Sequence, residues 1–423
     1  MFHPQNRLAM LRSSACAAAL LVSLLSFATP HQAPAQRTPT AAAPELAELI
    51  DVRLLTADFY DKQVFLLGEA HGVQKPQELD FALLKHLNQR LGLRYYLAEV
   101  DQPKAYYLNE YLRTGDEAQL KRVFRSWVQQ HQQWGNRDFY QKVQRIRQLN
   151  QSLPRARRIR FVGIDGLQDF SLAGEFLALR ARSQPLPVAL QLRLDSVAHH
   201  LRLGRPEVAQ AARALEHLGH TPSARLAPLY NELRHLLTNV AYAGRKPGGR
   251  EDVLHANFLA LYQQLNLANE KLYGMWGLAH VLQGPIQRAA LPLAARLQQA
   301  PSPVKARVVS LLCTYSGCRM MYPSQGLPAA WRTPGQPFTS TDKFNHDGPL
   351  VRVVGIDSLK AASRPSAVTL FPTANFGRPL QVTYAPQMPP EQQMRLDDRL
   401  PAAAYVQYLL LVRDSDMTQP LLP

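Results

Sequence analysis

Past its first 35 residues the chain is poor in cysteine and has no long apolar run, and each shortage narrows what it can be. Only Cys16, Cys313 and Cys318 are present among 423 residues. Two late cysteines in "LLCTYSGCRMM" are too few for a structural metal site; in an oxidising compartment they could pair across a short turn, or stand as separate thiols. After the leader, no stretch approaches the eighteen or so consecutive apolar residues of a spanning helix, so no integral membrane span is expected. There is no internal repeat and no glycine-rich phosphate loop, since Gly163-Ile164-Asp165-Gly166 lacks dinucleotide-fingerprint spacing. No serine or cysteine nucleophile accompanies the strand ends described below.

The amino terminus carries what the rest lacks. Arg7 and Arg12 precede "SACAAALLVSLLSFA", and Ala33 and Ala35 have the spacing of an A-x-A cleavage site. This predicts a signal peptide over residues 1–35, cleaved after Ala35, and hence a secreted or periplasmic protein. A lipoprotein would need its cysteine at the end of the apolar run, whereas Cys16 lies at the start. The formal net charge is +16, and the leader contributes two arginines to it and no acid. Basic clusters such as "RARRIR" and "GRKPGGR" are scattered over predicted loops and helix faces and form no stripe interleaved with aromatics. They read as a solvated basic face, with attraction to anionic surfaces or envelope polymers as a milder reading, and no nucleic-acid partner is expected.

The body of the chain, 36–423, reads as one α/β domain: a mostly parallel central sheet flanked by helices, with a large helical insertion at about 171–272 and a C-terminal extension at about 320–423. Val64–Leu67 is the opening strand. "QELDFALLKHLNQRLG" follows at helical period, with Leu79, Leu83, Leu84 and Leu87 inward and Gly92 as a stop. "RYYLAEV" is the next strand, and the strand–helix–strand order implies parallel pairing. Helices fill 103–130 and 136–153, "IRFVGID" is a third strand, and the insertion breaks at "SQPLPV", "GHTPSA" and "GRKPGGR". "KLYGMWGLAHVLQG" is a fourth strand running into a helix start. "KARVVSLLCTYSG" and "LVRVVGIDSL" look like later strands, and "AAYVQYLLLVRD" like an edge strand or docking helix.

Four of these strands end in chemistry. The first runs into Glu69 and His71, the second carries Glu99, the third ends at Asp165 and the fourth at His280. In an open parallel sheet, ligands sit beyond the carboxyl ends of the strands, so neighbouring strands would bring all five residues to one crevice. Each has a plainer explanation. Gly68 and Gly72 could serve only tight turns, Glu69 could cap a helix, Glu99 could pair with an arginine, Asp165 could close a turn, and His280 could be a core histidine. The paired G-x-x-H strings, Gly68 to His71 and Gly277 to His280, favour the functional reading.

The strings "LLGEAHG", "YYLAEVDQPKAYYLNEYLRTGD", "RFVGIDG" and "MWGLAHVLQG", in that order, resemble the erythromycin esterase, ChaN and TraB/Tiki superfamily over roughly residues 45–285. Two departures stand out. Esterases of this group usually place one more residue between the first glutamate and histidine, and they carry a histidine at the position of Gly277. The resemblance implies a hydrolase acting on an ester or related acyl bond of a small-molecule substrate, and sets no oligomeric state. His71 would be the general base, Glu69 or Glu99 would orient it, His280 would stabilise the oxyanion or protonate the leaving group, and Asp165 would support them. The Tiki branch implies instead a divalent metal held by His71, His280, Glu69 and Glu99, and the ChaN branch a haem-binding protein without catalysis.

Overall fold

The seven strands of the central sheet are β1 Val64–Glu69, β2 Tyr95–Ala98, β3 Arg160–Gly163, β4 Leu272–Gly277, β5 Val308–Ser316, β6 Val368–Pro372 and β7 Tyr408–Arg413. In the computed structural model, which describes residues 43–219, 223–243 and 249–421, they lie in the order β3-β2-β4-β1-β5-β7-β6. Every neighbouring pair is parallel except β7 with β6. The fold is therefore α/β with a mostly parallel sheet. The predicted signal peptide, residues 1–35, lies outside the described residues.

Residues alternate between two apolar layers along each strand, as the two-residue period of a strand requires. Phe65, Leu67, Tyr96 and Met275 face one core. Val64, Leu66, Tyr95 and Leu97 face the other. Burial on both faces explains why these strands read as continuous apolar runs in the sequence.

Helices cover both faces. They include α1 Lys75–Leu91, α2 Gln102–Thr114, α3 Glu117–Gln129 and α4 Arg137–Ser152, followed by the helix-rich segment α5 Phe170–Ala181, α6 Val188–Arg202, α7 Val208–Leu218, α8 Ala227–Ala243 and α9 Arg250–Gln264. On α1, Leu79, Leu83, Leu84 and Leu87 are buried, and Gly92 closes the helix in the left-handed region at φ 71°. The segment has one more break than its sequence suggested, between α6 and α7, where Gly204 and Pro206 interrupt the helical period. The described residues from Ala43 onward pack as one compact unit, and none of their helices is long and apolar enough to cross a membrane.

Three expectations are corrected. β1 and β2 are parallel but not partners, because β4 lies between them; the crossover of α1 spans two strand positions. The stretch around Val351–Val353 pairs with Val382–Tyr384 in a separate antiparallel pair and then turns into a short helix at Ile356–Ala361. Residues 408–413 form neither an edge strand nor a docking helix: β7 sits between β5 and the true edge, β6. Cys313 and Cys318 are separate buried thiols, without a disulfide.

Candidate functional site

Because β1 to β5 run the same way, their carboxyl ends form one rim of the sheet, and β3, β2, β4 and β1 are consecutive along it. The five candidate residues all lie on that rim. Glu69 is the last residue of β1 and His71 follows it; Glu99 directly follows β2, and Asp165 lies two residues past β3. His280 is carried by a short 3-10 turn, Leu278–Val281, that leaves β4.

Two carboxylate–histidine pairs stand here. Glu69 Oε1 contacts His71 Nδ1, and Glu251 Oε1 lies 2.5 Å from His280 Nδ1. Gly277 lies between the two rings. A Cβ built on it would fall 3.3 Å from His71 Nε2 and 3.5 Å from His280 Cδ2, so the glycine leaves open the space a side chain would fill. The other glycines of the motif are also required by close approach. A side chain at Gly68 would collide with Val281 in the turn that carries His280, and Gly72 adopts φ +95°, with the Met321 carbonyl where a Cβ would be.

Arg250, the first residue of α9, ties the cluster together. Its Nε donates to Asp165 Oδ1 at 3.0 Å, and its Nη2 donates to Asp165 Oδ2 at 2.5 Å and to Glu99 Oε1 at 2.8 Å. Its Nη1 lies 3.0 Å from His280 Nε2. A guanidinium can only donate, so His280 Nε2 accepts and the ring proton sits on Nδ1; that N–H makes no hydrogen bond, although Glu251 Oε1 lies close to it. Four of the five guanidinium hydrogens are thereby used, and one hydrogen of Nη1 is left for a ligand. Glu99 Oε2 also accepts from the Gly277 N–H at 2.8 Å, and Gln168 Nε2 donates to Asp165 Oδ2 at 2.8 Å.

These contacts set the charge states. Burial would push the Glu99 pKa up, but His71, His280 and Arg250, with the Gly277 N–H, outweigh it and hold the carboxyl below its usual range. Burial disfavours the charged form of His71, yet the charge of Glu69, the hydrogen bond to it and the charge of Glu99 prevail, and the imidazole binds its proton more tightly than an ordinary histidine. Burial works against Arg250 as well, but Asp165 and Glu99 raise its pKa further above an already high value.

Beyond this rim opens a cleft of about 760 Å³, within the range of small-molecule sites. His71, Glu99, Asp165 and Arg250 line it, whereas Glu69 and His280 stand behind them. The His71 side chain is 28% exposed and that of Glu69 is fully buried, so the histidine meets the ligand and the glutamate backs it. Trp134 packs on His71 with ring centroids 4.2 Å apart, and Tyr242 in α8 and Val253 in α9 also line the cleft. The helix-rich segment thus supplies part of the cleft lining.

The donors do not fit a metal ion. His71 Nδ1 is taken by Glu69, His280 Nε2 faces Arg250, and the Arg250 cation already sits between Glu99 and Asp165. Among the described residues, no group of three or more His, Cys, Asp or Glu side chains is arranged to hold a metal.

Sequence reasoning missed Arg250, Glu251 and Trp134. Arg250 lies at the end of the basic run "GRKPGGR", which reads as a solvated face. The signal that could have found it is the pair of carboxylates, Glu99 and Asp165, set among apolar residues and in need of a cation.

No family model matches the sequence, and no curated protein matches it significantly. Solved structures do share the fold. A Bacillus cereus protein aligns over 90% of this chain and 94% of its own, with a TM-score of 0.64 at 13% identity. A succinoglycan biosynthesis protein aligns over 88% and 92%, with a TM-score of 0.61 at 13% identity. A histidine-to-asparagine mutant of the erythromycin esterase EreC, in its open conformation, aligns over 86% and 93%, with a TM-score of 0.57 at 16% identity. The likeness read from the sequence motifs therefore extends to the fold across nearly the whole described chain.

Proposed function

We propose that this chain is an exported hydrolase that cleaves an ester or related acyl bond of a small-molecule substrate with an activated water. The observation that carries the reading is the pairing of a cleft-facing histidine, backed by a buried carboxylate, with a cleft-facing guanidinium that keeps one hydrogen free. The fold shared with an erythromycin esterase supports the same class of reaction.

In this mechanism Glu69 holds the Nδ1 proton of His71 and leaves Nε2 as the base facing the space above Gly277. Nε2 takes a proton from water, and the hydroxide oxygen bonds to the acyl carbon. The carbonyl oxygen becomes an oxyanion beside the free N–H of Arg250. The tetrahedral species collapses, the carbon–oxygen bond to the leaving group breaks, and the departing alkoxide takes the proton back from His71. We assign oxyanion stabilisation to Arg250, with His280, Glu99 and Asp165 holding the guanidinium in place.

The test is turnover of a panel of carboxylic esters and lactones by the wild-type chain and by His71→Ala. The reading expects a substrate whose hydrolysis is at least about a hundredfold slower in the variant. Equal rates across the panel would overturn it. Export is tested by mass determination of the mature amino terminus, which is expected at Gln36.

A further inference from the structure

Five consecutive residues of the loop between α3 and α4, Gln130 to Trp134, line the cleft, and the mechanism uses none of their polar groups. Their hydrogen bonds fix which way the amides point. Gln130 Nε2 donates to Asp169 Oδ2 and to Ser126 Oγ, both at 3.2 Å, which turns Gln130 Oε1 toward Gln132. Gln132 Nε2 donates to that oxygen at 3.0 Å and leaves Gln132 Oε1 without a partner among the described residues. Gln133 Nε2 donates to the carbonyls of His71 and Met321, so Gln133 Oε1 is left over in the same way. Gln168, also in the lining, donates from Nε2 to Asp165 Oδ2 at 2.8 Å and to the Glu99 carbonyl at 3.3 Å, and its Oε1 is buried without a partner. An amide whose nitrogen faces acceptors cannot turn over without losing those bonds, so its oxygen stays an acceptor.

A simple ester or lactone carries acceptors only, and would leave the oxygens of Gln132, Gln133 and Gln168 unanswered at a cost in binding. They call for a substrate that donates, and the charges around them decide which donor. Among the described residues the one lysine or arginine in the lining is Arg250, and Glu99 and Asp165 already share its charge. The same pairing leaves no lining carboxylate for an ammonium group. Uncharged donors remain, and hydroxyls on adjacent carbons of a sugar supply several within one small ring.

We propose that the substrate is an acylated neutral sugar whose esterified oxygen is the leaving group, an inference that rests on the hydrolase reading. Gln133 and Trp134 both contact His71, one at its carbonyl and the other at its ring. The free amide oxygens therefore stand by the histidine that returns a proton to the departing oxygen. Trp134 adds a ring on which the C–H face of a sugar can pack. The apolar lining stands instead by the oxyanion donor: Val253 follows Arg250 by about one turn of α9, and Gly166, next to Leu167, lies against it. The acyl chain extends there. Water adds across the bond between the acyl carbon and the sugar oxygen: its hydroxyl goes to the acyl carbon, giving the carboxylic acid, and its proton passes through His71 to the sugar oxygen.

The experiment compares hydrolysis by the full chain of mono-O-acetylated glucose, galactose and mannose with that of three other acetate esters. Cyclohexylmethyl acetate keeps the ring and lacks the hydroxyls, acetylcholine is cationic, and O-acetylglycolate is anionic. For at least one sugar ester, kcat/KM is expected to exceed that of all three by about a hundredfold or more, because a site that hydrogen-bonds substrate hydroxyls rejects analogues without them. Gln132→Leu should lower this preference about tenfold. Its side chain bonds only to Gln130, so the variant should keep the wild-type melting temperature. Equal or faster hydrolysis of any of the three other esters, or an unchanged preference in Gln132→Leu, would overturn the proposal and leave the hydrolase reading standing. Hydrolysis of none of the sugar esters would overturn the proposal as well. Sugar-ester hydrolysis that His71→Ala retains in full would overturn the hydrolase reading, and this proposal with it.

Discussion

Gly277 and His71 are so close that the glycine's missing side chain is part of the site: a Cβ there would lie 3.3 Å from His71 Nε2 and 3.4 Å from its Cε1. At φ −55° and ψ 145° the backbone of Gly277 is open to any residue, so the requirement is for space and not for conformation. Gly277→Ala should therefore fold with a melting temperature within a few degrees of wild type. The methyl group displaces the imidazole by some tenths of an ångström and fills the place proposed for the water. A fall in kcat/KM of about tenfold or more is expected, since small misplacements of a catalytic base are costly. Steady-state kinetics on the best ester substrate checks this, and unchanged kcat/KM would show that the space above Gly277 is not where water reacts.

The His71–Glu69 contact also fixes a pH dependence. His71 must be neutral at Nε2 to act as a base, and Glu69 together with Glu99 raises its pKa despite burial. The rising limb of kcat/KM against pH should accordingly lie above the ordinary histidine value of about 6.5. In Glu69→Gln the carboxylate charge is gone while the burial remains, so the limb should move to lower pH, with a lower plateau because the base is weaker. A limb that stays in place in this variant would separate Glu69 from the titration.

How much of this was legible beforehand follows from what each residue must satisfy. Val64–Leu67 and "YYLA" announced buried strands because parallel strands covered on both faces carry few polar residues, and the polar residue following each run then stood out; "IRFVG", at the sheet edge, keeps Arg160 exposed. The same logic hid the place of β7. An apolar run such as Tyr408–Arg413 is alike in an interior strand and in a covered edge strand, and only its pairing with both β5 and β6 tells them apart. The insertion of β4 between β1 and β2 was equally silent, because nothing in a strand names its neighbours. Glu99 showed a need for a cation, but its partner is 151 residues away in sequence, beyond any periodicity. Trp134 reaches His71 from the loop between α3 and α4, where no repeat places a side chain.

Arg250 separates stability from catalysis. Removing it leaves Glu99 and Asp165 facing each other without their shared cation. Breaking a buried pair costs about 3–5 kcal/mol, but the Arg250 side chain is 45% exposed, so solvent screening should reduce the loss to about 1–2 kcal/mol. Arg250→Lys keeps the charge but cannot reach two carboxylates and His280 at once. Denaturant unfolding should place the lysine variant between wild type and Arg250→Ala. Activity should fall about a hundredfold or more in both, because the directed N–H toward the oxyanion is lost either way. Wild-type kcat in Arg250→Lys would assign that donor elsewhere.

The chain's last described residues hold the His71 turn from outside. The Gly72 carbonyl accepts from the Met321 N–H at 2.9 Å and from the Thr418 N–H at 2.9 Å, while Gln74 N–H donates to the Asp416 carbonyl at 2.9 Å. Lys75 N–H donates to Ser415 Oγ at 3.0 Å, and the Leu421 N–H reaches the Gly135 carbonyl, next to Trp134, at 2.9 Å. One short strap thus spans both the turn that presents His71 and the loop that presents Trp134. None of these bonds is part of the central sheet, so a chain ended at Asp414 should keep its far-ultraviolet dichroism while amide exchange accelerates at residues 72–75. With the turn loosened, kcat/KM should drop by about tenfold or more. Thr418→Pro removes the N–H to the Gly72 carbonyl and the hydroxyl contact to Met321 Sδ but leaves the rest of the strap, and should give a smaller loss in the same direction. Full activity in the shortened chain would mean that the bonds from Met321, Gln133 and Tyr315 fix the turn without the strap, which then serves the fold rather than the site.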